Sequence, residues 1–332
     1  MDKKRIRAIL FFLAGLVLFW YVYRDLELED LWDQMGRLKW WWIGVSLAIN
    51  LFSHLIKALR WRQLIVPLGH HPGMMILYLS NLVLAFTNLI IPRGGEIARL
   101  GVVNRFERIP FSKLLGTALT ERLTDVVVLF LLAVILVVWQ YDNFLQIMGG
   151  GAMNGGVFPW KVLLIAGIVL IAIAGLYLVV RYATIFRKLR ARLLVFWREM
   201  TEGFSTLARV NRKGLYLFYS LFQFALWLMM LYVIFFAFPP TALLTMEAAA
   251  FTFGLSTLAF LLPVQAGIGA WHFVVIQSLV LFGIDEDPAR VFALIAHSST
   301  MLIHLVTGAV ALAVLPLVAG PETGRDAPDK GP

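Results

Sequence analysis

The sequence predicts an all-α polytopic membrane protein. About six full transmembrane helices and two opposed re-entrant helical hairpins are arranged as an inverted repeat. Three observations lead there. First, the chain is 60% hydrophobic and 15% charged over 332 residues, with a mean hydropathy of +0.81. A soluble domain is closer to half apolar and about a quarter charged. Second, apolar runs close to the ~20 residues that cross a bilayer recur along the chain. Third, two runs end in a Pro and Gly break, Ile91-Pro92-Arg93-Gly94-Gly95-Glu96 and Leu262-Pro263-Val264-Gln265-Ala266-Gly267-Ile268-Gly269, and a helix-like segment restarts after each. Broken backbone within a membrane needs cover from protein or a water-filled cavity. At corresponding places in two halves it points to a transporter's binding site.

The runs lie near 8–23, 40–58, 74–92, 114–139, 160–180, 214–236, 243–262 and 288–316, with a shorter one at 267–283. The first follows Lys3-Lys4-Arg5-Ile6-Arg7 and ends in Trp20-Tyr21-Val22-Tyr23 without a small-x-small cleavage site, so it reads as a retained signal-anchor helix. Trp40-Trp41-Trp42, Trp139, Trp160 and Tyr216 stand at run edges, as an interfacial aromatic belt requires. The Gly-rich, nearly uncharged stretch 142–158 reads as an external loop. Arg187, Lys188, Arg190, Arg192, Arg198 and Arg209 alternate with Phe186, Leu193, Phe196, Trp197 and Phe204, which reads as a basic amphipathic helix on the inner leaflet. Residues 1–320 form one transmembrane unit, and the Pro/Gly-rich tail 321–332 is expected to be disordered.

Lys/Arg placement sets the orientation. The basic N-terminus and loop 57–73, with Lys57, Arg60 and Arg62, suit the inside. Loop 24–39, with Asp25, Glu27, Glu29, Asp30 and Asp33, suits the outside. Segment 181–213 holds nine Lys/Arg and two Glu and suits the inside. These assignments agree only if 74–92 dips in and returns through 94–105, making a hairpin with its tip at Pro92–Gly95. Arms 243–262 and 267–283 form the second hairpin, for which two full spans would give the same parity. Residues 1–139 and 160–316 then repeat one order of elements in opposite senses, with both termini cytoplasmic.

The candidate substrate-binding residues sit at these breaks and in the run that follows the first. Arg93, Glu96 and Arg99 recur every third residue along the short arm. Glu96 falls in the first turn, where the helix dipole favours an anion. These residues can staple the hairpin tip or hold a headgroup. In the second case Arg93 engages a phosphate and the N–H groups at Gly94 and Gly95 add donors. Glu121 and Asp125 share a face inside an apolar run, with Arg122 to the side. A charge near the bilayer centre costs about 2.5–3.5 kcal/mol on insertion scales, so it needs a partner or a cavity. A buried network of Arg93, Arg99 and Arg122 with Glu96, Glu121 and Asp125 is therefore expected, near neutral overall. At the second break Gly267 and Gly269 permit close backbone approach, and His272 opens the returning arm. His297 and His304 share a face of the last run and suit cavity lining or helix–helix hydrogen bonds; no spacing supports a metal site.

Cysteine is absent, and no P-loop, dinucleotide, HExxH or serine-nucleophile motif occurs. No cofactor is implied. The net charge of +9 is accounted for by positive-inside loops and anionic lipid rather than nucleic acid.

Three blocks, Pro92-Arg93-Gly94-Gly95-Glu96 with Arg99, Glu121-Arg122-Leu123-Thr124-Asp125, and Pro263 with Gly267-Ile268-Gly269, resemble the lysylphosphatidylglycerol synthase transmembrane region family. That is the flippase-like part of bacterial multiple peptide resistance factors. The resemblance extends over nearly the whole chain. It implies a multi-pass protein of the bacterial inner membrane that moves or binds anionic phospholipids, modified phospholipids or polyprenyl-linked lipids. The soluble aminoacyl-transferase domain of the resistance factors has no counterpart here, so lipid lysinylation is not expected. The family often carries Glu where this chain has His272, which sets the chemistry at that position apart. The alternatives are an intramembrane enzyme that modifies lipid headgroups and a non-transporting partner of an envelope-lipid synthase.

Overall fold

A computed structural model describes residues 17–24, 32, 34–91, 93–139, 198, 201–203, 205–259 and 265–318. All regular structure among them is helical. The principal helices are α1 (Trp40–Ile65), α2 (Met74–Ile90), α3 (Gly95–Glu107), α4 (Phe111–Trp139), α5 (Lys213–Phe235), α6 (Met246–Ala259), α7 (Ala270–Leu281) and α8 (Glu286–Val318). Residues 17–23 add a helical segment ahead of them. The start of the signal-anchor run, loop 142–158, run 160–180, most of segment 181–213, Pro92, Pro263 and the tail after Gly320 lie outside the described residues.

Local chemistry sets the helix ends. α2 stops at Ile91, which is extended (φ −119°, ψ 112°) because the residue before a proline is pushed out of the helical region. α3 ends at Arg108 in the left-handed region (φ 55°). α8 opens with Glu286 and Asp287 in its first turn, which complements the helix dipole, and both accept from Arg290 at 2.7 Å.

Among the described residues, three helical stretches are long and apolar enough to cross a membrane: Trp40–Leu68, Lys213–Phe235 and Glu286–Val318. The surface is what a bilayer would face. On α4, Leu119, Leu123, Val126, Val127, Leu131 and Ile135 are exposed, while Leu114, Thr117, Ala118, Glu121, Asp125 and Val128 are buried. The apolar stripe points out and the polar one in, the reverse of a soluble amphipathic helix. This is a membrane protein.

α2 and α3 form a tight antiparallel hairpin. At its base the Gly73 N–H donates to Glu107 Oε1 at 2.9 Å. At its tip the Gly95 N–H donates to Asn88 Oδ1 at 2.9 Å. A Cβ at Gly95 would lie 2.3 Å from the Leu84 carbonyl oxygen, so glycine is what lets the arms touch. The arms have 17 and 13 residues, about 26 and 20 Å at helical rise against a hydrocarbon core of about 30 Å. α8 packs on α2 where Gly308 meets Phe86.

Two apolar cores lie at opposite ends of the long helices. One gathers Ile65, Leu77, Val103, Leu114, Tyr216 and Leu315 around the first hairpin. The other gathers Ile43, Phe235, Ala249, Val275, Ala289 and Phe292 around α6 and α7. The turn Gln265–Gly267 ahead of α7 packs against α2. Sequence and structure differ most on α1, which continues to Ile65 rather than ending at 58, so Lys57, Arg60 and Arg62 are helical. The described end of segment 181–213 packs on the protein: Thr206 is buried, and Lys113 Nζ reaches Glu202 at 3.4 Å.

Candidate functional site

A network of charges is enclosed by α1, α3 and α4. Its centre is Glu121 on α4, with no exposed side-chain area. One carboxylate oxygen accepts from Arg60 of α1 at 2.7 Å and the other from Arg99 of α3 at 2.7 Å. Asp125, one turn along α4, accepts from Arg60 at 2.7 Å and from Arg122 at 3.2 Å. Arg122 also donates to Glu96, and Glu96 lies 2.9 Å from Arg99. Two guanidinium groups thus share one carboxylate and tie three helices together, an arrangement suited to the planar fork of arginine.

Neutral groups complete the enclosure. Arg99 donates to Asn81 Oδ1 of α2 at 3.2 Å, and its guanidinium carbon stands 4.1 Å from the centre of the Trp61 ring. The Trp61 indole N–H donates to Thr117 Oγ1 at 2.9 Å. From Asn81 a file of polar groups continues inward. Asn81 donates to the His54 carbonyl at 3.4 Å, the His54 and His304 rings meet edge to face at 5.6 Å, and His297 lies two turns back along α8.

The structure brings together five of the residues read from the sequence, Glu96, Arg99, Glu121, Arg122 and Asp125. Arg93 is placed elsewhere. It stands exposed at the hairpin tip with φ +59°, and the third arginine of the network is Arg60. The N–H groups of Gly94 and Gly95 are both engaged within the hairpin, by the Ile91 carbonyl at 2.9 Å and by Asn88 at 2.9 Å. They close the tip rather than offering donors outward.

Gly267, Gly269 and His272 form a second locality. Gly267 and Gly269 take φ of 77° and 80°. His272 is buried, and its Nδ1 accepts from the Gly269 N–H at 3.2 Å, capping its own helix. Its ring packs edge to face on His297 at 4.6 Å and on Phe19 and Tyr23 at 5.3 and 5.6 Å. His297 Nε2 donates to the Ala266 carbonyl at 3.0 Å.

Residues 6–308 match the lysylphosphatidylglycerol synthase TM region. The chain belongs to this family. The match takes in α1 to α7, the whole charge network and most of α8. No curated protein and no solved structure shows a significant match. Membership in the lysylphosphatidylglycerol synthase TM region family ties the protein to membrane lipid biology.

Sequence reasoning missed Arg60 and Lys57, taking both for loop charges. The signal was present as a stripe. Ser46, Asn50, Ser53, His54, Lys57 and Arg60 recur at helical spacing and are all buried. A separate cleft of about 120 Å³, lined by Tyr21, Arg24, Phe273, Gln277, Glu286 and Arg290 among others, lies away from the network and is small for a headgroup.

Proposed function

We propose that the protein binds anionic phospholipids or lipid-linked anions and translocates them across the bacterial inner membrane without covalent chemistry. The observation that carries this reading is the buried network around Glu121, held between a short hairpin and two long helices in a bundle whose outer surface is apolar. Such charges are costly in a membrane and serve as a recognition element for a charged headgroup. Arg122, with its side chain 45% exposed, and Arg93 at the tip are the guanidinium groups within reach of an arriving lipid. The lipid-related family supports the same class of ligand.

The topology that goes with this function has about six spans and two re-entrant hairpins entering from opposite faces, with both termini cytoplasmic. Its support is the grouping of Ile65, Leu114, Tyr216 and Leu315 in one core and of Ile43, Phe235 and Ala289 in the other. The chain leaves α1 and enters α4 at the same end of the bundle. In this topology His272 is a helix cap of the second hairpin, and Gly267 and Gly269 let that hairpin approach α2.

The test is purified protein in liposomes with labelled phosphatidylglycerol. Transport moves the label between leaflets with its mass unchanged. A changed mass would make the protein an enzyme. Neither movement nor modification would leave it a partner of another envelope protein.

A further inference from the structure

Ala266, in the turn ahead of α7, has φ 50° and ψ 14°. A residue with a Cβ is strained in this left-handed region, and such strain persists only where surrounding contacts hold it. Two histidines do so here. His297 of α8 donates from Nε2 to the Ala266 carbonyl at 3.0 Å; a carbonyl only accepts, so this nitrogen carries the proton. His272 of α7 accepts at Nδ1 from the Gly269 N–H at 3.2 Å and fixes the other end of the turn. The two rings meet edge to face at 4.6 Å, and Trp271 stacks on His297 at 5.0 Å. Phe19 and Tyr23 pack on His272 in turn.

The turn held in this way packs against α2. That arm of the α2–α3 hairpin supplies Asn81, which accepts from Arg99 of the charge network at 3.2 Å. The contact therefore joins α7 to the hairpin that carries part of the network. Alternating access shifts one half of such a bundle against the other, so this contact has to part when a headgroup passes. We infer that residues 265–269 are a strained latch between α7 and the α2–α3 hairpin, closed by His297 and His272 and released in each transport cycle. The two histidine hydrogen bonds keep the turn shut. The strain at Ala266 raises the free energy of the shut form and brings the released form nearer to it. Glycine at 266 would relax that strain, as it does at Gly267 and Gly269 with φ of 77° and 80°.

This inference rests on the translocation reading, and the experiment separates the two. The chain has no cysteine, so one is placed at Ile268, a half-buried residue of the turn. The full-length protein is reconstituted in liposomes with labelled phosphatidylglycerol. Three quantities are followed: reaction of the cysteine with a water-soluble maleimide, transfer of the lipid label between leaflets, and the melting temperature. Ala266→Gly removes strain from the latched form. It should raise the melting temperature and slow both labelling and transfer by about fivefold, as relief of strain of ordinary size does. His297→Phe keeps the ring packing and removes the donor to Ala266. Its cysteine should react about fivefold faster than that of the parent, as loss of one hydrogen bond allows. His297→Gln restores an N–H donor and should return labelling towards the parent rate. A stabilised Ala266→Gly with unchanged labelling and transfer overturns the latch and spares the translocation reading, since the strain would then be structural only. Unchanged labelling in His297→Phe overturns the latch too. No label transfer in the parent protein overturns the translocation reading, and the latch then stands or falls on the labelling rates alone.

Discussion

Arg60 of α1 and Glu121 of α4 meet at 2.7 Å, with side-chain exposures of 1% and 0%. The pair joins helices 61 positions apart in sequence, and Arg99 binds the other oxygen of the same carboxylate. Removing that carboxylate takes one of two counter-charges from each of two buried guanidinium groups, leaving Arg60 with Asp125 and Arg99 with Glu96. Glu121→Gln is therefore expected to cost about 3–5 kcal/mol, the range for breaking a buried pair. Glu286→Gln on α8, where the carboxylate is 57% exposed, should stay within about 1 kcal/mol. Thermal unfolding of both purified variants in one detergent checks the contrast.

The glycines make a prediction with two signs. A Cβ at Gly95 would lie 2.3 Å from the Leu84 carbonyl oxygen, and one at Gly308 would lie 2.2 Å from the Phe86 Cβ, whereas one at Gly44 meets nothing within 4 Å. Gly95→Ala and Gly308→Ala should lower the melting temperature by forcing helices apart. Gly44→Ala, in the interior of α1, should raise stability by about 0.5–1 kcal/mol. Equal effects at the three positions would show that the close approaches are not needed.

Arg93 separates a headgroup contact from a hairpin staple. It is exposed and holds φ +59°, a conformation that costs an ordinary residue about 1–2 kcal/mol and glycine almost nothing. Arg93→Gly should fold at least as well as the wild type and bind anionic lipid more weakly. Arg93→Lys keeps the charge and loses the bidentate fork, so its affinity should fall between the two. Lipid binding and thermal stability measured on the same samples decide it. Loss of folding in both variants would return Arg93 to the staple.

Orientation is testable because the chain contains no cysteine. Ala208 and Asp285 are both exposed. A cysteine at Ala208 should react with an impermeant thiol reagent only after the cells are opened. A cysteine at Asp285 should react in intact cells. The reverse pattern would invert the whole arrangement.

Much of this organisation could be read from the residues. The Pro92 break sets the end of α2, because Ile91 cannot remain helical ahead of a proline. The shared face of Glu121 and Asp125 identifies the buried side of α4. Arg60 and Lys57 were harder to place because charge near the end of an apolar run usually marks a loop. Here the run continues to Ile65, and the charges extend the polar stripe that begins at Ser46. The stripe, rather than the end of high hydropathy, was the informative pattern. Arg93 misled for the opposite reason. Its spacing from Glu96 and Arg99 suggests one helix face, but it lies ahead of the helix, in the turn, where that periodicity does not apply.

The most direct measurement is an experimental density map of the full-length protein in a nanodisc containing phosphatidylglycerol. The account predicts headgroup density against the network enclosed by α1, α3 and α4, with its phosphate within hydrogen-bonding distance of Arg122. Headgroup density at the cleft lined by Tyr21 and Arg290, or ordered lipid confined to the outer apolar faces of α4 and α8, would contradict it.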